Sequence, residues 1–145
     1  GRPDVIAGVA TAAIAQGALV AESMGLPFVY VRSSPKDHGR ENLIEGELKE
    51  GQSVVVVEDL ISTGGSSLKA VKALRDAGSR VSGLISVFTY GFGQAEENFN
   101  MANCKSISLC DYETLIAKAV ESGFINSNDL HTLRAWREKP ESWGK

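Results

Sequence analysis

Cysteine is nearly missing from this chain: Cys104 and Cys110 are the only two in 145 residues. They stand too far apart for a Cys-x-x-Cys pair and have no neighbouring His to complete a zinc site, which leaves two buried free thiols in a reducing compartment. Long apolar runs are missing as well. No stretch approaches the roughly 20 residues that a membrane-spanning helix needs, and no charged start, apolar core and cleavage site mark a leader. An excess of one charge is also lacking. The 15 Lys and Arg are interspersed with 18 Asp and Glu for a net charge of −3, so the composition carries no footprint of nucleic-acid or membrane binding. Repeats and linkers are absent too. These gaps leave a soluble, cytoplasmic, single-domain protein as the expectation.

What is present is enough apolar material for a real core, 43% of the residues in a chain of ordinary domain size. Short apolar runs alternate with helical ones. "DVIAGV" (4–9) reads as a strand and "AAIAQGALVAESMG" (12–25) as a helix closed by Gly25. "PFVYVR" (27–32) is a second strand. "SVVVVED" (53–59) is a third, apolar and β-branched throughout, as befits a strand buried on both faces. The helix "SSLKAVKALRDAG" gathers Leu68, Val71 and Leu74 on one side and ends at Gly78.

A fourth strand (80–90), a helix in "GQAEENFNMAN" and a short fifth strand (105–109) follow. Next comes a helix with Asp111 at its N-cap and Gly123 past its end, and then a last helix striped by Leu130, Leu133 and Trp136. Strands alternating with helices predict an α/β fold with a mostly parallel central sheet flanked by helices on both faces. One segment breaks the pattern. "SSPKDHGRENLIEGELKEG" (33–51) is long, polar and punctuated by Pro35, Gly39 and Gly46. A compact domain rarely carries such a connection unless it is a functional loop, here expected to be partly a hairpin with a mobile tip.

The chemistry concentrates in "VVVVEDLISTGGSS" (54–67). Glu58 and Asp59 fall at the carboxyl end of a parallel strand, where ligands of such sheets bind. The turn after them opens a helix, so backbone N–H groups converge on an anion with help from the positive helix end. Hydroxyls of Ser62, Thr63, Ser66 and Ser67 add donors, and glycines allow close approach of a phosphate. No Lys follows the glycines as in a nucleoside-triphosphate loop. Two carboxylates beside a phosphate cradle make sense when the ligand also offers hydroxyls, as a sugar phosphate does. For the acids alone, an ordinary strand–helix turn with capping serines and two solvated carboxylates explains as much; for the whole string it explains less.

On these residues the chain resembles the type I phosphoribosyltransferase family. "VVVVEDLISTGGSS" is similar to its signature for 5-phosphoribosyl 1-diphosphate (PRPP). "VRSSPKDHG" with "NLIEGEL" resembles the catalytic loop of the orotate branch, and "GVATAAIAQGALVA" and "VFTYGF" look like its bacterial members. The resemblance implies transfer of phosphoribosyl from PRPP to orotate, with Lys36, His38, Glu58 and Asp59 as catalytic residues. It implies PRPP contacts from Arg32, Lys36, His38, Glu58, Asp59, Leu60, Ile61, Ser62, Thr63, Gly64, Gly65 and Ser66, and an orotate contact from Ser62.

The resemblance further implies a Mg²⁺ cofactor held by substrate oxygens without dedicated protein ligands, and amides of the Gly8–Thr11 loop for the diphosphate. It implies a homodimer whose long loop reaches the neighbouring subunit's site. That family also carries a substantial N-terminal segment over its active site; this chain opens "GRPDVIAGVAT", beyond that segment, so residues 1–145 are expected to be the core domain alone.

Other readings compete. A transferase for a purine or another base shares the phosphate loop without needing Lys-Asp-His-Gly in a long loop. A PRPP-binding regulator keeps the phosphate loop and dispenses with Lys36 and His38. The sequence speaks against a dinucleotide-binding dehydrogenase, because no Gly-x-Gly-x-x-Gly follows a strand. His131 reads as exposed on the last helix. Tyr90 and Phe92 either line a base pocket or end a strand, and the second is favoured.

Overall fold

The structure is a computed structural model in which residues 1–34 and 43–143 are described. The elements run β1 (Val5–Val9), α1 (Ala13–Met24), β2 (Phe28–Val31), β3 (Ile44–Glu45), β4 (Ser53–Ile61), α2 (Gly65–Asp76) and β5 (Arg80–Thr89). After them come α3 (Gly93–Met101), β6 (Ser106–Asp111), α4 (Tyr112–Glu121) and α5 (Leu130–Glu138), with single 3₁₀ turns at Ser127–Asp129 and Pro140–Ser142. The six strands form one sheet in the order β3-β2-β1-β4-β5-β6. Among the described residues only β3 runs antiparallel, against β2; the remaining pairs are parallel.

The apolar patterns explain the layers. In β4, Val54 and Val56 point to one side and pack with Ala70, Val71 and Leu74 of α2. Val57 shares the opposite side with Ile6 of β1 and Ala21 of α1. Helices therefore cover both faces of β1 and β4, and β1 is buried along its whole length, whereas β5 and β6 leave Ile85, Val87, Ile107 and Leu109 exposed on one face. Local chemistry ends the helices where expected. Gly25 closes α1 at φ 60°, and Gly78 follows α2 at φ 81°. The carboxylate of Asp111 accepts from the Thr114 amide at 2.8 Å to open α4.

The structure departs from the sequence expectations in extent and in one pairing. β4 continues to Ile61, two residues beyond the apolar run, because Leu60 and Ile61 pair with Phe88 and Thr89. β6 occupies Ser106–Asp111, displaced from the apolar stretch 105–109 by its register on β5. Within the long connection, Ile44 and Glu45 add to the sheet edge beside Val31 and Tyr30. Its expected mobile tip lies outside the described residues. Cys104 is buried and Cys110 half-buried, both free thiols. His131 is exposed on α5. No helix among the described residues is long and apolar enough to cross a membrane.

This topology places the site. The chain leaves β1 to make β2 on one side and β4 on the other, so the turns after β1 and β4 flank one crevice at the carboxyl edge of the sheet.

Candidate active site

The two acids at the end of β4 are not equivalent. Alternation along the strand turns Glu58 inward with Val54 and Val56, and it is 3% exposed. Its carboxylate is held at both oxygens: Ser67 Oγ of α2 donates to Oε2 at 2.8 Å, and the Asp59 amide donates to Oε1 at 3.1 Å. Burial pushes the Glu58 carboxyl up to about 7, the adjacent Asp59 carboxylate adds to the rise, and the bond from Ser67 opposes it. Asp59 is half-buried at the mouth of the crevice.

Ser67 was read from the sequence as one of four hydroxyls offered to an anion. The structure assigns it to Glu58 instead, while Ser62, Thr63 and Ser66 are exposed. A signal for this was present: Ser67 shares the inward phase of Ala70, Val71 and Leu74, and a buried hydroxyl needs an acceptor. Leu60 and Ile61, expected among the ligand contacts, belong to the strand. Ile61 packs in the core and its carbonyl accepts from the Tyr90 amide at 3.0 Å, whereas Leu60 turns its side chain toward a groove lined by aromatics.

Past Ile61 the loop is pinned from outside, with Asn98 Nδ2 of α3 donating to the Thr63 carbonyl at 2.9 Å. α2 then starts at Gly65 with no side-chain cap. The first amides of a helix have no partners within it, so this turn aims unsatisfied donors at the crevice.

The two glycines do different jobs. Gly64 sits at φ 80°, and a Cβ there would stand 2.8 Å from Cε2 of Phe99. Packing on α3 therefore accounts for Gly64 before any ligand is considered. At Gly65 the nearest obstacle is Thr63 Oγ1 at 3.9 Å, an ordinary van der Waals contact that leaves room for a side chain. The expected result is that Gly64→Val lowers the melting temperature by several degrees, through backbone strain and the Phe99 clash. Gly65→Val should melt near wild type yet bind an organic phosphate at least about tenfold more weakly. Thermal unfolding and calorimetric titration of both variants check this; equal melting temperatures would contradict it.

The other candidates are distributed as follows. Arg32 lies just beyond β2, where Nη1 pairs with Glu45 Oε1 at 3.5 Å, a partner the sequence did not suggest. In the turn after β1, Gly8 and Val9 belong to the strand and the Ala10 amide donates to the Val31 carbonyl at 2.9 Å, so that amide is already engaged within the fold. The peptide between Ala10 and Thr11 is cis. Lys36 and His38 lie outside the described residues. Tyr90 and Phe92 do more than end β5: their rings stack at 5.3 Å and 7°, and Trp136 of α5 meets both edge-on at 5.6 and 6.1 Å.

The family model for the phosphoribosyl transferase domain matches residues 1–120. The orotate phosphoribosyltransferase of Porphyromonas gingivalis is 59% identical over 144 residues, 99% of this chain and 69% of that protein. The chain belongs to the orotate phosphoribosyltransferase family. Among solved structures, an orotate phosphoribosyltransferase from Aeropyrum pernix superposes with a TM-score of 0.72 at 32% identity, covering 81% of this chain and 65% of that one. An adenine phosphoribosyltransferase from Thermoanaerobacter pseudethanolicus reaches 0.65 at 26% identity, over 77% of this chain and 72% of its own. The fold is thus shared across enzymes named for different bases, and sequence likeness is what places the chain in the orotate phosphoribosyltransferase branch.

Proposed function

We propose that this chain transfers the phosphoribosyl group of PRPP to orotate, giving orotidine 5′-phosphate and diphosphate, a step of pyrimidine synthesis. The observation that carries the reading is the acid pair of β4 set directly before the uncapped start of α2. The bond from the anomeric carbon to diphosphate breaks with its electron pair leaving on the diphosphate, and the ring nitrogen of orotate, giving up its proton to solvent or to the diphosphate, forms the new bond to that carbon. Positive charge develops on the ribose meanwhile. Asp59, at the mouth of the crevice, accepts a ribose hydroxyl and faces that charge. Glu58 adds a second carboxylate from below, held in place by Ser67. Amides and hydroxyls from Ser62 to Ser66 hold the 5-phosphate, and Ser62 also meets orotate. Arg32, Lys36 and His38 neutralise the leaving diphosphate, an effect that grows once water is excluded.

Mg²⁺ fits this site. The donors are oxygen atoms; burial is the main reason the Glu58 carboxyl is raised, and the adjacent Asp59 adds to the rise, a part that a divalent cation would relieve. Asp59 is the residue that would meet it alongside the substrate's own oxygens, and the ion would supply charge neutralisation for the leaving group. Residues 1–145 act as the core domain, in the cytoplasm. Ile85, Val87, Ile107 and Leu109 are 40, 42, 67 and 75% exposed on neighbouring strands, an apolar patch of the kind that supports association with a second copy.

The direct test is a panel of bases offered with PRPP and Mg²⁺ while diphosphate release is followed. Orotate should be consumed, and turnover of a purine in its place would reject the reading. If the long loop serves the neighbouring subunit, Lys36→Ala and Asp59→Asn proteins, each nearly inactive, should regain activity on mixing with subunit exchange. Random pairing leaves about a quarter of all sites intact. No recovery despite proven exchange would mean that each loop closes over its own subunit.

A further inference from the structure

The two edges of the sheet differ. At one, β3 is only two residues long, Ile44–Glu45; at the other, β6 runs for six, Ser106–Asp111, and no described strand pairs with its outer side. The Leu84 amide donates to the Lys105 carbonyl at 2.8 Å. Alternation from that point turns the backbone groups of Ile107 and Leu109 toward β5 and those of Ser106, Ser108 and Cys110 outward. An unpaired row of this kind is a template for another strand, and folds commonly blunt it with proline, charge or a bulge. Between Ser106 and Cys110 the sequence supplies neither proline nor charge.

The side chains decide which strand fits. Lys105, Ile107, Leu109 and Asp111 alternate onto one face of β6, and all four are exposed. Lys105 makes no ion pair with another described residue, and Asp111 is engaged at Oδ1 alone, by the Thr114 amide. A second copy of β6 laid antiparallel about Ser108 answers each of these features. Ser108 then faces Ser108 and Ser106 faces Cys110, so the outward amides and carbonyls all find partners. Ile107 faces Leu109 and Lys105 faces Asp111, each on both sides of the axis and in the closer, non-hydrogen-bonded spacing. Sliding one strand by two residues instead sets Lys105 against Leu109 or Asp111 against Ile107.

We propose that two copies of this chain join edge to edge through β6, antiparallel about Ser108, into one continuous sheet. The contact is self-complementary and closes at two copies. It lies across the sheet from β3 and the long connection, so it is a different surface from the one that loop sharing would use. It does not depend on the transferase reading.

The test combines light scattering with disulfide trapping on the full chain. Wild-type protein should move toward twice the mass as its concentration rises. Lys105→Glu sets like charges opposite Asp111 at both ends of the contact and should weaken association at least about tenfold, while its melting temperature in dilute solution stays near wild type. Ile107→Cys and Leu109→Cys proteins, oxidised together, should give a disulfide-linked pair that neither gives alone, because facing residues of this class stand about 4.5 Å apart at Cα, within disulfide reach. Wild-type protein that remains a single copy at high concentration overturns the proposal. Association that Lys105→Glu leaves unchanged puts the interface elsewhere and overturns it too, as does a mixture that yields no more disulfide than its components.

Discussion

Asp59→Asn is expected to lose about 10²- to 10³-fold in kcat/KM for PRPP, the range for removing one preorganised charge from a transition state. The substitution preserves shape, so the loss belongs to charge alone. Asp59 is half-buried; in the proposed reading its carboxylate faces the ribose as it becomes cationic, and an amide there offers an acceptor without the full charge. Stability should not fall. Asp59 helps to raise Glu58, so the variant relieves a repulsion in the apo protein. Steady-state kinetics and thermal unfolding decide it together: unchanged kcat/KM removes Asp59 from the chemistry, and loss of folding assigns it a structural role instead.

Glu58→Gln carries the second large effect, and it depends on pH. The folded protein holds the Glu58 proton more tightly than the unfolded chain, with a value of about 7 against 4.5. The sign follows from linkage. Burial of the protonated group supports the fold fully below about 4.5, and that support is lost as pH rises through about 7. Glutamine keeps an oxygen that accepts from Ser67 and carries no charge to desolvate. The difference in melting temperature between variant and wild type should therefore be small at low pH and grow by several degrees in favour of the variant by about pH 8. Activity moves the opposite way. Wild-type kcat/KM should climb with pH through the same window as Glu58 ionises, and the variant should lose both the limb and most of the rate. Parallel melting curves across pH would show that Glu58 is not desolvated in the folded state.

The sequence reveals the scaffold because its signals are local. Four valines in β4 need burial on both faces, Gly25 and Gly78 supply the backbone that ends a helix, and Asp111 caps the helix immediately after it. The position of the acids at a strand end is likewise local. What separates Glu58 from Asp59 is not. Two neighbouring carboxylates look alike in sequence, and only the partner on α2 gives one of them a buried role. The packing reason for Gly64 is hidden for the same reason: a glycine in a phosphate loop invites a ligand explanation, while the ring that also excludes a side chain comes from Phe99 on another helix. The edge strand of Ile44 and Glu45 is too short to give an alternating pattern. The cluster of Tyr90, Phe92, Tyr112 and Trp136 draws on three separate segments, so no spacing rule brings it together.

The central claim is that the end of β4 and the start of α2 form one ribose-phosphate site. A crystal structure of the protein with PRPP and Mg²⁺ tests it most directly. The account predicts the 5-phosphate on the amides from Ser62 to Ser66 and a ribose hydroxyl within hydrogen-bond distance of Asp59. A phosphate bound away from the α2 terminus, or a ribose that leaves Asp59 in solvent, would contradict it.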